Sequence, residues 1–357
     1  MPAAADFLRQ ALIPFLVTAA SLLAALLVFL VVQRVVRELR TTLRRRLVAQ
    51  YRPLIDAVTH GGALPELVPR LRAVPASHRR LLSRTMLAPL RAARGALVDN
   101  VRETAQAIGL IEMWRDDATN RRWWRRADGV RALGLVEDRS ALPLVIRAFE
   151  DQHEEVRAAA VEAAGRLGDL AVLPQLLSHL ADGSRYQRAR VIDALRGLGA
   201  PVTPALAAFG RARPELKRIV ADILGMIGTV AAIDPLLEWC DDDSGDVRAA
   251  AIAALGSIGL DDRSYYFVLR ALVDADPQAR AMAARALGRA RRESAAGYLA
   301  DRLDDDWLPA AQAAAALHRL GAAGRAALEA RARDPGQAGD LARQMLWTPS
   351  PPPAMAA

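Results

Sequence analysis

The chain has 357 residues, of which 52% are apolar, 5% aromatic and 25% charged, and it carries a net charge of +8. A single cysteine, Cys240, excludes an intrachain disulfide, and five scattered histidines lack the spacing of a zinc site, so we expect no metal and no cofactor. The positive charge lies in residues 34–126, with 20 Arg against 8 acidic residues, whereas residues 127–357 carry 27 basic and 31 acidic residues. Residues 127–357, the larger part of the chain, therefore lack the excess of basic residues that a nucleic-acid-binding surface has, and we expect no nucleic acid as a partner.

Residues 1–10 and 11–33 are predicted to be a short extracytoplasmic N-terminus and a transmembrane helix. Residues 11–32 hold no charge, and a helix of that length, rising about 1.5 Å per residue, spans roughly the 30 Å hydrocarbon core of a bilayer. A secretory signal peptide has a shorter apolar core with basic residues before it, whereas here the arginines follow the run. The positive-inside rule therefore predicts a single-pass membrane protein whose N-terminus is outside and whose C-terminal domain is cytoplasmic.

Residues 34–50 are predicted to continue this helix as a basic juxtamembrane segment that ends at Tyr51-Arg52-Pro53. Arginines spaced by three and four residues share one helix face, which either meets anionic lipid headgroups or simply fixes the topology. The predicted membrane-surface residues are Arg34, Arg37, Arg40, Arg44, Arg45 and Arg46.

Residues 51–120 are predicted to form several short helices, separated by Gly61-Gly62, Pro75 and Gly109. No segment shows the alternating pattern of a strand. Because an end repeat needs a polar outer surface, we interpret this region as degenerate repeats that cap an array.

Residues 121–334 repeat one pattern seven times, from starts at positions 125, 156, 187, 216, 247, 279 and 309, which lie 29 to 32 residues apart. Each clear copy has a first helix with Pro in its first turn, an acidic turn, and an Ala-rich second helix that opens on an apolar-Arg pair and ends on a capping Gly. This period indicates stacked helical hairpins, so the predicted fold class is all-α, an α-solenoid preceded by one transmembrane helix. Residues 335–357 are predicted to be a C-terminal tail that is disordered at its end.

A basic residue recurs at the second position of most second helices, and aspartates recur in the turns before them. A group repeated in nearly every unit is what hydrogen bonding between neighbouring repeats requires, so we predict a structural role for these charges rather than a binding strip. The basic residues concerned are Arg157, Arg188, Lys217, Arg248 and Arg280.

The repeat, as in Val247-Arg248 leading to Ala254-Leu255-Gly256, resembles the short bacterial HEAT-like repeats related to those of phycobilin lyases. The resemblance covers roughly residues 120–322, and the period is shorter than the roughly 40 to 47 residues of larger HEAT and armadillo units. With its anchor, the chain resembles bacterial single-pass membrane HEAT repeat domain-containing proteins. That resemblance implies a scaffold in the bacterial inner membrane and transfers no catalytic residue.

Departures from the repeat are better candidates for a binding site than the repeat itself. Trp and Arg dominate the energetic hot spots of protein interfaces, and both are concentrated just before the array. Adjacent Trp123 and Trp124 cannot both face inward on one helix, so packing by one and binding by the other are both open. The candidate partner-binding residues are Trp114, Arg121, Arg122, Trp123, Trp124, Tyr186, Trp239 and Trp307.

No phosphate loop, catalytic triad order, zinc spacing or dinucleotide fingerprint occurs in the sequence. We therefore expect a non-enzymatic adaptor that docks a protein partner at the inner membrane surface beside the lipid bilayer. A partner that is itself membrane-bound, such as a glycosyltransferase or a signalling enzyme, gains most from tethering. The alternatives are a HEAT-like enzyme of the lyase or DNA glycosylase kind, and nucleic-acid attachment through residues 34–126.

Overall fold

The computed structural model describes the backbone of residues 2–61, 64–182 and 185–348, with their side chains except those of residues 2–17, 19, 20, 40, 44, 64, 182, 185 and 186. The secondary structure of these residues is helical, with no strand among them. The chain divides into two compact units, Met1–Trp114 and Arg115–Ala357. The boundary predicted from the repeat pattern, at residue 120, lies slightly later.

The first unit contains α1 (Pro2–Thr59), α2 (Leu64–Arg72), α3 (Ala76–Leu87), α4 (Ala96–Ala107) and the start of α5 (Leu110–Ala118). Its core forms where the end of α1 packs on α2, α3 and α4. The largest buried side chains of this core include Tyr51, Ile55, Val58, Leu67, Leu71, Leu82, Met86, Val98 and Val101. These residues recur at helical spacing, so each helix presents one apolar face to the others.

Helix α1 continues through Pro53, where the sequence predicted its end. A proline inside a helix removes a hydrogen bond and costs roughly 3 kcal/mol. Tyr51 and Ile55 on either side are buried, and Tyr51 Oη lies 2.8 Å from Nδ1 of His78 on α3. Packing in the core of the first unit offsets the cost of the proline, and the predicted helix end at Tyr51-Arg52-Pro53 is wrong.

The middle of α1 makes no core. Residues 21–39 are exposed all around the helix, and the large apolar side chains from Leu22 to Val36 are between 37% and 72% exposed. Among the residues that the structure describes, no helix is both long enough and apolar enough to cross a membrane. Part of the predicted span, residues 11–17, 19 and 20, falls on side chains outside those described.

The second unit begins with the end of α5 and with α6 (Trp123–Leu135), and seven helical hairpins follow, each with a first and a second helix; α6 is equivalent to the second helices. The first helices are α7 (Leu142–Ala148), α9 (Leu173–Asp182), α11 (Thr203–Ala212), α13 (Ile233–Trp239), α15 (Asp262–Arg270), α17 (Ala296–Asp301) and α19 (Ala322–Arg331). The second helices are α8 (Glu154–Leu167), α10 (Arg185–Leu198), α12 (Lys217–Ile227), α14 (Gly245–Ile258), α16 (Pro277–Ala290), α18 (Trp307–Arg319) and α20 (Gln337–Trp347). Each second helix packs on the second helix of the next hairpin. The predicted all-α class and the stacking of helical hairpins are confirmed.

Close packing between second helices depends on glycine. A Cβ built on Gly225 would lie 2.8 Å from both Cα and Cβ of Ala254 on the next second helix, a separation that real atoms do not reach. We refer to this contact and its equivalents as the glycine seam. The other pairs of the seam are Gly134 with Ala163, Gly165 with Ala194, Gly256 with Ala286 and Gly288 with Ala316.

The glycine that closes the repeat motif was predicted to be the helix cap, and this prediction is wrong. Gly165 and Gly225 lie inside α8 and α12, where only a residue without a side chain permits the contact with the next helix. The caps are the later glycines Gly168 and Gly228, whose φ values of 67° and 75° place them in the left-handed region that favours glycine.

The predicted C-terminal tail, residues 335–357, is helical in its first part. Helix α20 packs on α18 and α19 and buries Ala338, Leu341 and Ala342. Apolar residues at helical spacing indicate this helix, but the segment lacks the apolar-Arg start of the other repeats. The array therefore extends past residue 334, and residues 349–357 lie outside the described residues.

Candidate functional site

The recurring arginines and aspartates join neighbouring hairpins. At the start of α14, Arg248 donates two hydrogen bonds to the carboxylate of Asp274, at 2.8 and 2.6 Å. Its Nη1 atom also donates to the backbone carbonyls of Asp242 and Asp243, at 2.9 and 3.1 Å. One guanidinium thus connects two consecutive acidic turns, and both side chains of the ion pair are mostly buried.

The ion pair recurs along the second unit, which confirms the structural role predicted for Lys217, Arg248 and Arg280. Arg157 and Arg188 instead donate to backbone carbonyls, Arg157 to those of Asp151 and Gln152 and Arg188 to that of Ala181. Burial disfavours ionisation of the Asp274 carboxyl, but hydrogen bonds from Arg248 and from the Asp276 amide outweigh burial and lower the pKa of Asp274. The charges of these ion pairs are therefore satisfied inside the array. The equivalent pairs are Arg126 with Asp151, Lys217 with Asp242 and Arg280 with Asp305.

A different set of side chains lies on the exposed side of the second helices, which we refer to as the second-helix face. Residues seven and eleven positions apart share this side of a helix. Arg131 on α6 donates to Glu162 on α8 at 3.2 Å, and Arg289 on α16 donates to Ser257 on α14 at 3.0 Å, so equivalent positions of successive helices are neighbours. Exposed residues of the face include Trp124, Asp128, Glu155, Glu162, Asp193, Arg218, Asp222, Asp246, Gln278, Arg285, Arg289, Leu308 and Arg319.

The charge of the second-helix face differs between its two ends. The part on α16 and α18 carries three arginines, Arg285, Arg289 and Arg319. The part on α6 to α14 is mainly acidic, with Asp128, Glu155, Glu162, Asp193, Asp222 and Asp246. A surface of this kind favours a partner with basic residues opposite the acidic end and acidic residues opposite the arginines. This charge pattern would allow the partner to bind in only one orientation along the array.

An aromatic cluster lies at the acidic end of the face, where α6 begins. The ring of Trp123 stacks on the imidazole of His153 in the next acidic turn, with centroids 4.0 Å apart and planes inclined by 8°. Trp124 meets Trp123 edge-on at 6.0 Å, and the Arg122 guanidinium lies 5.5 Å from the Trp124 ring centroid. Trp123 and Trp124 are 37% and 47% exposed, so the cluster offers an ordered apolar surface of the kind that anchors protein partners.

Two of the predicted partner-binding residues are buried. Trp114 is 3% exposed, and its indole N–H donates to Ser83 Oγ at 2.8 Å. Trp239 is 1% exposed, and its ring occupies the space that a side chain at Gly210 would fill. Because a buried indole has no surface for a partner, Trp114 and Trp239 are packing residues and are withdrawn as candidates.

The other predicted residues are dispersed. Arg121 is exposed and lines a cavity of about 530 Å³ together with Arg126 and Asp151, residues of the turns around the aromatic cluster. Trp307 is 65% exposed at the start of α18, in a different hairpin from the cluster. The side chain of Tyr186 lies outside those that the structure describes.

The predicted membrane-surface arginines belong to the exposed part of α1. Arg34, Arg37, Arg45 and Arg46 are exposed, and Arg34 pairs with Glu38 at 3.0 Å. The side chains of Arg40 and Arg44 lie outside those described. In the described part of the chain, no group of three or more His, Cys, Asp or Glu side chains is placed to hold a metal ion.

Sequence reasoning missed His153 and the acidic row. Glu155, Glu162 and Asp246 look like ordinary solvated residues until the buried side of each second helix is known. His153 belongs to the hairpin after Trp123, and the stacking of the two rings follows from the register between hairpins. The recurrence of acidic residues at equivalent positions of the repeat was the feature of the sequence that could have indicated the acidic row.

The repeats also match a family by sequence. Residues 111–196, 173–256, 201–273 and 245–318 match the HEAT repeats family, and together these matches span more than half of the chain. The chain belongs to the HEAT-repeat family. The family matches begin in the last residues of the first unit and cover the second unit up to residue 318. No curated protein matches this chain.

Several solved HEAT-repeat and other helical structures are similar to this chain in fold. The complex of CpcE and CpcF of phycocyanin lyase from Nostoc has 20% identity and a TM-score of 0.32, covering 66% of this chain and 93% of that chain. Importin beta has 13% identity and a TM-score of 0.44, covering 78% of this chain and 42% of its own. Human deoxyhypusine hydroxylase has 18% identity and a TM-score of 0.28, and the match covers 85% of this chain and 96% of that chain. Likenesses of this size carry nothing about activity or partner.

Proposed function

We propose that this HEAT-repeat chain is a non-enzymatic scaffold that is anchored in a bacterial inner membrane and binds a protein partner on the cytoplasmic side. The observation that carries the proposal is the second-helix face, where an ordered aromatic cluster adjoins a row of carboxylates. The glycine seam and the arginine-aspartate pairs provide the recurring contacts between hairpins. The exposed ring of Trp124 and the exposed carboxylates of Glu155 and Asp246 come in addition to those contacts. Hydrophobic anchors beside a charged rim are the usual anatomy of a protein interface.

The chemistry of the face defines the partner. Trp123 and Trp124 supply apolar contact area with little conformational entropy left to lose, because stacking on His153 already holds the ring of Trp123. The exposed carboxylate of Glu155, at the position of the next hairpin equivalent to Trp124, favours a basic residue beside the partner's apolar anchor. The partner is therefore a protein with a basic surface around an apolar side chain, and a membrane-bound enzyme fits the tether best.

Membrane anchoring is supported by the composition and exposure of α1. Residues 21–32 are exposed on all sides, and the run from residue 11 to residue 32 lacks charge. Exposing large apolar side chains such as Leu22 and Leu27 to water is unfavourable by about 25 cal/mol per Å² relative to burial in lipid. The arginines that follow the run favour a cytoplasmic C-terminal side.

Site-specific photocrosslinking tests the binding surface. A benzoyl-phenylalanine in place of Trp124 is expected to crosslink one reproducible protein in the native membrane. The same photoprobe in place of Tyr266, which is 65% exposed on the first helix α15 and so lies outside the second-helix face, serves as the matched control. Identical products from both positions, or none from position 124, would contradict the proposed surface.

Cysteine labelling tests the topology, because the single native cysteine, Cys240, is buried and is expected to react little with a thiol reagent. Its side chain is 7% exposed, and burial, followed by the charge of Asp241, raises the pKa of its thiol to about 12. In a Cys240→Ala background, Ala4→Cys is expected to react with an impermeant maleimide in intact cells, and Ser350→Cys only after permeabilisation. Labelling of Ser350→Cys in intact cells and of Ala4→Cys only after permeabilisation would contradict the predicted topology. Release of the protein from membranes by alkaline carbonate extraction would contradict the anchor.

A further inference from the structure

A cavity of about 350 Å³ lies at the other end of the second unit, where α18 meets α19 and α20. Arg291, His318, Arg319 and Arg325 contribute its polar lining, and no Asp or Glu lines it. Leu328, Met345 and Leu346 provide apolar lining. A space with cationic groups on one side and apolar side chains on the other fits a ligand that carries a negative charge next to an apolar group.

Two arginines beside this cavity lack the carboxylate partners that other arginines of the array have, whereas Arg325 in its lining pairs with Glu329 at 3.0 Å. Arg285 and Arg319 make no ion pair within the part of the chain that the structure describes, in contrast to the bonded Arg248 and Arg280. Arg289, whose nearest bonded partner is the Ser257 hydroxyl, feels both of these charges. Burial and repulsion from Arg285 and Arg319 lower the pKa of Arg289, and a neighbouring anion would act in the opposite direction to these charges.

Arg291 is a second, independent departure from the repeat. It caps α16 with a φ of 51°, in the left-handed region, where Gly168 and Gly228 cap the equivalent helices α8 and α12. A residue with a Cβ is strained in this conformation, and glycine is free of that strain. Glu137 holds the same conformation, with a φ of 54°, at the equivalent position after α6. Arg291 differs from Glu137 in that its side chain lines the cationic cavity.

We propose that this cavity and the adjoining arginines bind an acidic segment of a protein partner, in which carboxylates lie beside an apolar side chain. The inference rests on the proposed scaffold function and adds the chemistry of a second contact. The carboxylates meet Arg285, Arg289 and Arg319, and the apolar side chain enters the cavity against Leu328 and Met345. Charge-assisted hydrogen bonds to arginine provide the affinity, and the apolar wall distinguishes this segment from any acidic chain.

Fluorescence anisotropy with the full-length protein in detergent tests the site. The probe is a fluorescein-labelled short peptide of alternating Glu and Leu, compared with a Gln and Leu peptide and with a Glu and Ser peptide. Only the first is expected to bind, and its affinity is expected to fall with added salt. Arg319→Gln is expected to weaken binding about tenfold, because it removes a charge-assisted hydrogen bond. Arg218→Gln, the same change in the acidic part of the face, is the matched control and is expected to leave binding within about twofold.

Arg291→Gly separates the binding role from folding. The substitution relieves backbone strain, so the melting temperature is expected to stay the same or rise, while the peptide binds about tenfold more weakly. A structural role for Arg291 predicts the opposite, a lower melting temperature with unchanged binding, and that result would overturn the site.

Other outcomes also decide the proposal. Equal binding by the Arg319→Gln and Arg218→Gln variants, or equal binding of the Gln and Leu peptide, rules out an acidic segment as the occupant. Salt-sensitive self-association that Arg319→Gln abolishes identifies a second copy of this chain as the occupant instead. Failure of the peptide to bind while the crosslink at position 124 persists removes this site and leaves the scaffold function standing.

Discussion

The glycine seam and the second-helix face lie on the same helices, yet one is nearly constant along the array and the other is not. At the seam, Gly134, Gly225 and Gly288 each meet an alanine of the next helix. On the face, equivalent positions carry Trp124, Glu155, Asp246, Gln278 and Leu308. The seam repeats because most second helices make the same close fit to the next one. Under the proposed function, the face varies because each hairpin offers something different to a partner, so variation within a repeat is a better guide to a binding site than repetition is.

The largest expected effect comes from filling the seam. Gly225→Ala adds a Cβ that would lie 2.8 Å from Cα and Cβ of Ala254, so two helix backbones have to separate. We expect the free energy of unfolding to fall by about 3 kcal/mol, the upper part of the usual range for overpacking. Urea unfolding followed by circular dichroism measures this change.

Gly297→Ala is the control for the seam. Gly297 lies in α17, and a Cβ at this position meets nothing within 4 Å. Alanine there is expected to raise the free energy of unfolding by about 0.5 to 1 kcal/mol, because it removes the entropy that glycine loses in a helix. If both substitutions destabilise the protein equally, close approach is not what conserves the glycine along the array.

A smaller effect is expected from the ion pairs that connect the acidic turns. Asp274→Asn removes the carboxylate that accepts two hydrogen bonds from Arg248 and is expected to cost roughly 2 kcal/mol at pH 7. Because the pKa of Asp274 in the folded state is lowered, its contribution is present above the ordinary value near 3.9 and is lost as the pH falls through the folded value. Urea unfolding of the wild-type protein and the variant, at pH 7 and below pH 3, measures the loss of stability and its dependence on pH.

The wild-type protein and the Asp274→Asn variant are therefore expected to converge in stability at low pH. A difference between them that stays constant with pH would show that the carboxylate contributes by its shape and not by its charge. The Arg248 pair and the glycine seam both connect adjacent hairpins, but through different contacts. Comparing Asp274→Asn with Gly225→Ala therefore shows how much each kind of contact contributes to stability.

The succession of hairpins was predictable because its determinants are local and repeated. The prolines, acidic turns and apolar-Arg pairs each recur with the period of one hairpin, and the structure places them as predicted. The role of the closing glycine was not predictable, because a helix cap and a helix contact both favour glycine. Gly165 and Gly168 are close in sequence, and only the packing of α8 against α10 distinguishes them.

The candidate site was predictable only in part. Exposed and buried tryptophans look alike in a sequence, so Trp123 and Trp124 were found together with the buried Trp114 and Trp239. Helix α20 was missed because it lacks the motif that starts the other second helices. Both errors have one cause, since the buried side of a helix depends on its neighbours in space and those neighbours are identified only by the fold.

The smallest expected effects lie on the second-helix face, and the two tryptophans refine the comparison with the seam. Trp123→Ala removes the stack on His153 and is expected to cost about 1 kcal/mol of stability. Trp124→Ala, at a residue 47% exposed whose described contacts are the edge of Trp123 and Arg122, is expected to change stability by less than about 0.5 kcal/mol. Thermal unfolding and partner capture on the same variants measure both properties. If Trp124→Ala costs as much stability as Trp123→Ala, the indole of Trp124 packs the end of the array, and the exposed aromatic cluster is structural. If it costs little and still abolishes capture, the face performs the binding and the seam performs the folding.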